Sequence, residues 1–150
     1  MVIYFGADHG GFELKGRLMA FVKGMGYETA DMGDTAPNPD DDYPDFAAKV
    51  AEKVSADPAN ARGILICRSG AGVDIVANKF KGVRSALATT PDQAYDGRHD
   101  DDANVLSLAA DFTSPEDAER IVKVFLGTPF GGDARFERRL GKIKEIEEHG

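Results

Sequence analysis

The sequence predicts an α/β protein, a Rossmann-like three-layer α/β/α domain with a five-stranded parallel sheet and a C-terminal helix. Short apolar or β-branched runs alternate along the chain with longer stretches whose apolar residues recur at helical spacing. The short runs carry few polar residues, as strands covered on both faces do. Because parallel strands are joined by right-handed crossovers, the intervening helices cover both faces of the sheet.

The first half of the chain contains three predicted strands and two predicted helices. The apolar run Val2–Phe5 is a strand, and apolar residues then recur every three or four positions over Phe12–Gly24, which predicts an amphipathic helix. Tyr27–Met32 is the second strand. An apolar face over Tyr43–Val54 predicts the second helix, and the run Gly63–Cys67 is the third strand.

The second half repeats this alternation, with helix starts marked by a glycine turn, by proline at the first helical position and by the run Ser-Pro-Glu-Asp from Ser114. Two more strands are predicted at Val83–Ala88 and Val105–Leu108. The predicted helices are Gly72–Phe80, Pro91–Arg98, Ala118–Leu126 and a charged final helix at Ala134–Glu148.

Length and composition limit the functions open to this chain. Its 150 residues are 42% hydrophobic, enough for one domain over residues 1–150 with a substantial core. Twenty-six acidic against eighteen basic side chains give a net charge of -8, which repels phosphate backbones and excludes nucleic acid as the expected partner. No apolar run approaches the roughly 20 residues of a membrane span. A single cysteine and no secretion signal predict a cytoplasmic protein without disulfides.

The residues after the first strand form the first candidate site. In parallel α/β sheets, ligands bind beyond the carboxyl ends of the strands. Asp8, His9 and two glycines stand there, before a helix N-terminus that suits an anionic ligand. The alternative is that Asp8 caps the helix and the glycines only form the turn. A cap does not require imidazole, so His9 favours a site.

The residues after the third strand form the second candidate site. Cys67 and Arg68 precede three small residues at Gly70, Ala71 and Gly72, whose backbone N–H groups could converge on an oxyanion or a phosphate. The spacing is neither that of a P-loop nor that of a dinucleotide fingerprint. Beside a helix N-terminus, Cys67 could act as a base; the alternative is a buried small apolar residue.

Two charged clusters come later in the chain. The carboxylates of Asp100, Asp101 and Asp102 follow His99, but adjacent residues seldom converge on one ion and helix-end solvation explains them equally well, so no metal is predicted.

The other cluster is basic. Arg135 and Arg139 share a helix face at i and i+4, with Arg138 beside them. Such a pair can hold a phosphate bidentately, although charge-paired surface arginines are the commoner outcome.

These pieces together resemble the ribose 5-phosphate isomerase B / galactose 6-phosphate isomerase family of sugar-phosphate isomerases, over nearly the whole chain. The resemblance implies a homodimer, or a dimer of dimers, with active sites between subunits, a sugar-phosphate substrate, and no metal or organic cofactor. The motifs that carry it are Asp8–Lys15, Asp42–Pro44, Gly63–Cys67, Ser69–Gly72, Ala77–Lys79, Gly82–Arg84, Asp102–Leu106 and the pair Arg135 and Arg139.

The activity that the resemblance implies is aldose–ketose isomerisation, in which a proton moves between C1 and C2 of a sugar phosphate through an enediolate. Ribose 5-phosphate and ribulose 5-phosphate are the expected pair. By resemblance, Cys67 is the base, the hydroxyl of Ser69 assists proton transfer, and the amides of Gly70, Ala71 and Gly72 stabilise the enediolate oxygen.

The resemblance also implies how substrate is bound. Asp8 would contact the sugar hydroxyls, while His9, Arg135 and Arg139 would bind the phosphate. Asp101 joins them as a substrate-binding residue.

Three features depart from the family pattern. Asp100 stands where the family has its ring-opening histidine, and His99 comes one residue earlier. Arg68 replaces the usual glycine after the base, and Ala109–Asp111 stands where the family often carries an arginine.

Three explanations fit these departures. His99 or Asp100 opens the ring and Arg68 supplies the missing charge; or the substrate differs, being allose 6-phosphate, galactose 6-phosphate or an open-chain tetrose or tetrulose 4-phosphate; or the chain binds sugar phosphate without turnover. The retained Cys67 and glycine cradle favour an isomerase, because a pure binder needs no base.

Overall fold

Every predicted strand and helix forms in the computed structural model, which describes residues 1–150. The strands are β1 (Val2–Ala7), β2 (Glu28–Asp31), β3 (Ala61–Cys67), β4 (Ser85–Leu87) and β5 (Val105–Ala109). The helices are α1 (Phe12–Gly24), α2 (Tyr43–Ala56), α3 (Ala71–Ala77), α4 (Pro91–Asp101), α5 (Pro115–Gly127) and α6 (Ala134–His149).

The five strands form one parallel sheet in the order β2-β1-β3-β5-β4. Strand β3 is central, and its last residue, Cys67, is in register with Ala109 at the end of β5. On its other side, Ala7 at the end of β1 is in register with Ile66. The residues that follow β1, β3 and β5 therefore emerge side by side at the carboxyl edge of the sheet.

Alternate side chains of the strands pack into two separate cores, one on each face of the sheet, which confirms the predicted three layers. One core packs α1, α4 and α5 on one face of the sheet, and the other packs α2 and α3 on the opposite face. In β3, Ile64 and Ile66 enter the first core while Leu65 and Cys67 enter the second. This alternation follows from the two-residue period of a strand.

Two helices end three residues away from their predicted ends. Helix α4 continues past Arg98 to Asp101, because Arg98 donates to the Asp102 carboxylate over 2.8 Å and Asp102 ends the helix in the left-handed region at φ 47°. Helix α3 stops at Ala77, three residues before the predicted end. There the Asn78 side chain donates to the Ser85 carbonyl and accepts the Ser85 N–H, both in β4, and these bonds tie the chain to the sheet where the helix ends.

The last helix, α6, lies at the amino edge of the sheet. Near its start, buried Phe136 meets the ring of His99, which belongs to the last turn of α4 before the chain enters β5. Near its end, the Glu147 carboxylate accepts the N–H of Gly82, just before β4, over 3.2 Å. Among the helices of the protein, none has both the length and the apolar character that a membrane crossing requires.

Candidate active site

Cys67 ends the central strand with its sulfur turned back toward the loop that follows. Its Sγ accepts the backbone N–H of Gly70 over 3.1 Å, while the residue as a whole is only 5% exposed. The side chain is thus as buried as a small apolar residue of the core between the sheet and α2 and α3. The hydrogen bond distinguishes Cys67 from an ordinary apolar core residue. The Gly70 N–H, which donates to the sulfur, holds the side chain at the start of the Ser69–Gly72 turn.

The turn after Cys67 forms a cradle of backbone amides. Gly70 adopts φ 74°, and a Cβ on it would stand 2.6 Å from Leu87 Cδ1 and 2.9 Å from the backbone of Leu108. Ala71 N–H reaches the Ser69 hydroxyl over 3.3 Å, whereas Gly72 N–H bonds no other group of the chain. The Gly72 amide, in the same turn as the Gly70 amide that contacts the sulfur, is therefore free to meet an anionic oxygen.

Asp8 follows β1 and lies next to Cys67, because the preceding pair Ala7 and Ile66 is in register. Its carboxylate accepts the N–H of Gly10 over 3.0 Å, and only 8% of the residue is exposed. Helix α1 begins instead with Gly11 at its N-cap, without a side-chain cap. The alternative in which Asp8 caps the helix is therefore wrong.

His9 is held by Asp41, a residue of the loop before α2. The His9 Nδ1 and Asp41 Oδ1 atoms are 2.7 Å apart, and the same oxygen accepts the His9 backbone N–H over 3.0 Å. Ligand atoms of Asp8, His9 and Asp41 lie within 4.8 Å of one another, a spacing that a metal ion could bridge. The two closest of these atoms are, however, already bonded to each other.

Arg68 covers the loop between β1 and α1. Its side chain is exposed, and a Cβ placed on Gly10 would stand 2.5 Å from Arg68 Cγ and 3.3 Å from Nε. Only glycine at position 10 lets the arginine lie across this loop. The structure therefore places a guanidinium next to Asp8 and the turn that carries Cys67.

A second cluster of candidate residues lies at the end of α4. The His99 Nδ1 and Asp100 Oδ1 atoms are 2.8 Å apart, so these two neighbours form one hydrogen-bonded pair. The His99 ring stacks on Tyr95 with centroids 5.2 Å apart and meets the edge of Phe136 at 5.7 Å. Aromatic packing on two sides thus fixes the imidazole.

Asp101 and the two arginines of α6 belong to the same cluster. Burial raises the pKa of the Asp101 carboxyl, the neighbouring Asp100 charge raises it further, and the Arg139 charge opposes both. Arg135 is exposed and lies over the Phe136 ring with its guanidinium carbon 5.1 Å from the centroid. Both guanidiniums therefore stand near the end of α4.

The two clusters lie at opposite edges of the sheet. The Cys67 cluster follows the strands at their carboxyl edge, whereas the His99 cluster precedes β5 and lies at the amino edge. The five residues of β5 alone separate these edges by about 16 Å, given roughly 3.3 Å per strand residue. A single copy of the chain therefore does not bring all the predicted site residues together.

The structure adds two residues to the Cys67 cluster that we did not predict as site residues, Tyr43 and Asp41. The Tyr43 ring crowds Gly72, where a Cβ would stand 2.5 Å from Cε1 and 3.0 Å from the hydroxyl oxygen. The signal for Tyr43 was its place at the start of α2, which also opens at the carboxyl edge. Asp41 gave no signal of its own, because it is one of three consecutive aspartates in a polar loop.

Comparison with known proteins gives consistent matches over the chain. The family model described as Ribose/Galactose Isomerase matches residues 3–143. A relative named probable ribose-5-phosphate isomerase B, from Mycoplasma pneumoniae, is 43% identical over 97% of this chain and 94% of its own length.

Solved structures match equally well. Ribose-5-phosphate isomerase B from Mycoplasma genitalium with bound ribulose-5-phosphate superposes with a TM-score of 0.96 at 38% identity, covering 99% of this chain and 97% of that one. The ribose-5-phosphate isomerase B of Clostridium thermocellum gives 0.94 at 42% identity, with 99% of each chain covered.

Proposed function

Because this chain belongs to the ribose/galactose isomerase family, we propose that it interconverts ribose 5-phosphate and ribulose 5-phosphate. The observation that carries the proposal is the contact between Cys67 Sγ and the Gly70 amide, with Asp8 on the neighbouring strand end. This arrangement sets a base next to an anion cradle. The chain is also similar in fold to a ribose-5-phosphate isomerase B whose structure holds bound ribulose-5-phosphate.

The reaction begins when the Cys67 thiolate takes the proton from C2 of the open-chain aldose. The C2–H electron pair forms the C1–C2 double bond of the enediolate, and the carbonyl oxygen O1 becomes anionic. The free Gly72 amide, in the turn that contacts the sulfur, stabilises this charge. The Ser69 hydroxyl passes the O2 proton to O1, and the thiol returns its proton to C1, which completes the ketose.

Substrate binding uses the residues around the β1 loop. The Asp8 carboxylate accepts hydrogen bonds from sugar hydroxyls, while the His9 ring and the exposed Arg68 guanidinium face the phosphate. Arg68 supplies positive charge to this edge, which otherwise carries the acidic loop before α2. A phosphate dianion needs such cations because the whole chain carries a net charge of -8.

The remaining residues come from a second copy of the chain. We propose a homodimer in which the amino edge of one copy faces the carboxyl edge of the other. Arg135 and Arg139 of that edge complete the phosphate site, and Asp101 binds substrate beside them. The hydrogen-bonded pair of His99 and Asp100 opens the ribose ring, with His99 moving the proton and Asp100 orienting it.

The experiment is isomerisation and hydrogen exchange in heavy water, followed by NMR. Ribose 5-phosphate, ribulose 5-phosphate, allulose 6-phosphate and erythrulose 4-phosphate are each incubated with the protein. Deuterium at C1 or C2 of the pentose phosphates supports the proposal. Exchange confined to erythrulose 4-phosphate would make an open-chain tetrulose phosphate the substrate in place of ribose 5-phosphate. Exchange in none of the four sugars would support a non-catalytic binder. The cytoplasmic location, the absence of a cofactor and the extent of the domain stay predictions.

A further inference from the structure

The carboxylate of Asp41 fixes His9 through two hydrogen bonds to one oxygen. Asp41 Oδ1 accepts the His9 backbone N–H over 3.0 Å and lies 2.7 Å from the ring Nδ1. The two residues are 32 positions apart, so this contact joins the loop before α2 to the end of β1. It sets both the backbone of His9 and the direction in which its ring points.

The two side chains of this pair differ in how much of each is exposed to solvent. The side chain of Asp41 is 7% exposed, whereas that of His9 is 31% exposed. A ligand in the site can therefore reach the imidazole but not the carboxylate behind it. A direct hydrogen bond to a bound sugar phosphate is therefore open to His9 and not to Asp41.

The charge of Asp41 is maintained in spite of its burial. Burial acts to raise the pKa of this carboxyl, but the hydrogen bonds from the His9 side chain and backbone outweigh it, and the pKa lies below its ordinary value of 3.8. Asp8 and Asp34 are the other acidic groups nearby, and Arg68 lies over the adjacent loop. An ionised carboxylate at Nδ1 makes that nitrogen a donor, which leaves Nε2 to face the solvent side.

We propose that Asp41 is a positioning residue for the isomerase: it holds His9 by Nδ1–H and so aims Nε2 at the substrate phosphate, to which the doubly protonated ring donates its Nε2–H. The inference rests on the proposed function, in which His9 binds the phosphate. Partner groups of this kind, one step removed from a ligand, fix the tautomer and the orientation of a histidine ring. The role predicts an effect on binding with little effect on the chemical step.

The test compares Asp41→Ala and Asp41→Asn with the matched control Asp40→Asn, an exposed aspartate of the same loop whose backbone, not its carboxylate, makes the local hydrogen bond. Asp41→Ala should raise KM for ribose 5-phosphate about tenfold, the size of a lost hydrogen bond to a charged group, with kcat changed less than about twofold. Asp41→Asn, whose amide oxygen still accepts from Nδ1, should recover part of the loss. The control should match the wild type.

A double-mutant cycle separates positioning from a general structural effect. If Asp41 acts through His9, Asp41→Ala adds nothing to KM in a His9→Ala background. Additive effects, or an unchanged KM in Asp41→Ala, would overturn the proposal. Nitrogen NMR of labelled histidine should also show a proton on His9 Nδ1 in the wild type, protons on both ring nitrogens once ribulose 5-phosphate is bound, and a mixture of tautomers in free Asp41→Ala. A wild-type ring protonated only at Nε2 would contradict the proposal.

Calorimetric binding of ribulose 5-phosphate keeps this inference distinct from the proposed reaction. The dissociation constant should follow the same order of variants as KM, whether or not the protein turns the sugar over. A wild type that binds but does not isomerise would overturn the proposed function and leave the positioning role standing. If Asp41→Ala binds ribulose 5-phosphate as tightly as the wild type does, the positioning role alone is overturned.

Discussion

The sulfur of Cys67 accepts the backbone N–H of Gly70 over 3.1 Å, so the turn after β3 folds back onto the side chain that ends the strand. The proposed base and its anion cradle are therefore parts of one turn. The left-handed conformation of Gly70 makes this return possible. Changes in the turn should affect proton transfer more than they affect phosphate binding.

Removing the thiol should remove the chemistry. Cys67→Ala should lower kcat for ribose 5-phosphate by about a thousandfold, as expected for loss of a general base. Folding, followed by thermal unfolding, and binding of ribulose 5-phosphate should persist. Cys67→Ser, which restores a small polar side chain without a thiolate, is the matched control and should be equally slow. Wild-type rates in Cys67→Ala would move the base to another residue, such as Asp74.

A methyl group at Gly70 should damage both the fold and the cradle. Gly70→Ala forces a side chain into the left-handed region, which costs about 1–2 kcal/mol, and its Cβ would clash with Leu87 and Leu108. The free energy of unfolding from urea titration should fall by at least that amount, and kcat should fall with it.

The control for that variant is Gly16→Ala. Gly16 lies on the exposed side of α1 with nothing within 4 Å of a new Cβ. Since alanine is the better helix former, this change should stabilise the protein by about 0.5–1 kcal/mol and leave kcat alone. Equal stability and activity in Gly70→Ala and Gly16→Ala would show that the turn does not need a left-handed residue.

Arg68 should contribute to phosphate binding. Arg68→Ala should raise KM for ribose 5-phosphate about tenfold with a smaller change in kcat, because a guanidinium hydrogen bond to a phosphate is lost. Arg120→Ala is the control, since Arg120 lies on the exposed face of α5 and pairs with Asp117 at 2.6 Å. If the two variants have the same KM, Arg68 does not contact the phosphate.

Asp74 should make stability depend on pH. Burial raises the pKa of its carboxyl, although the hydroxyls of Ser85, at 2.6 Å, and Ser107 act to lower it. A raised native pKa means that the protonated form favours the folded state fully below the unfolded value, and that this contribution is lost as pH rises through the native value.

Asp74→Asn removes that titration. The stability of Asp74→Asn relative to the wild type should therefore increase as pH rises from about 3 to 7. Only the wild type loses the contribution of a protonated Asp74 carboxyl over this range. Thermal unfolding at a series of pH values measures the difference. A difference that stays constant or shrinks with rising pH would contradict the assigned shift.

The sequence predicted the order of strands and helices because each apolar run and each helical face is determined locally. It also placed Asp8 and Cys67 at the same edge, since Cys67 ends one parallel strand and Asp8 directly follows another. The boundaries were less predictable where side chains bond to backbone, as at Asn78 after α3 and Asp102 after α4. Local pattern carries no signal for such contacts.

The partnerships within the site could not be predicted in the same way. His99 and Asp100 looked like alternatives for one role, whereas in the structure they are bonded to each other. Asp41 reaches His9 from a distant loop, and nothing in three consecutive aspartates indicates which one turns inward. These features depend on how loops pack, not on the spacing of residues along the chain.

Mixing two inactive variants would show whether one active site draws on both edges of the sheet from different copies of the chain. Cys67→Ala disables the carboxyl edge, and the double variant Arg135→Ala/Arg139→Ala disables the amino edge. In a mixed dimer, one of the two sites takes an intact Cys67 edge from one copy and an intact arginine edge from the other.

Co-expressed variants with random pairing should therefore recover about a quarter of the wild-type activity per site, assayed at low ribose 5-phosphate, while each variant alone stays inactive. Half of the dimers are mixed, and each mixed dimer has one intact site of two. Recovery at that level supports a site shared between copies. A mixture as inactive as its components, with mixed dimers confirmed by mass spectrometry, would contradict it.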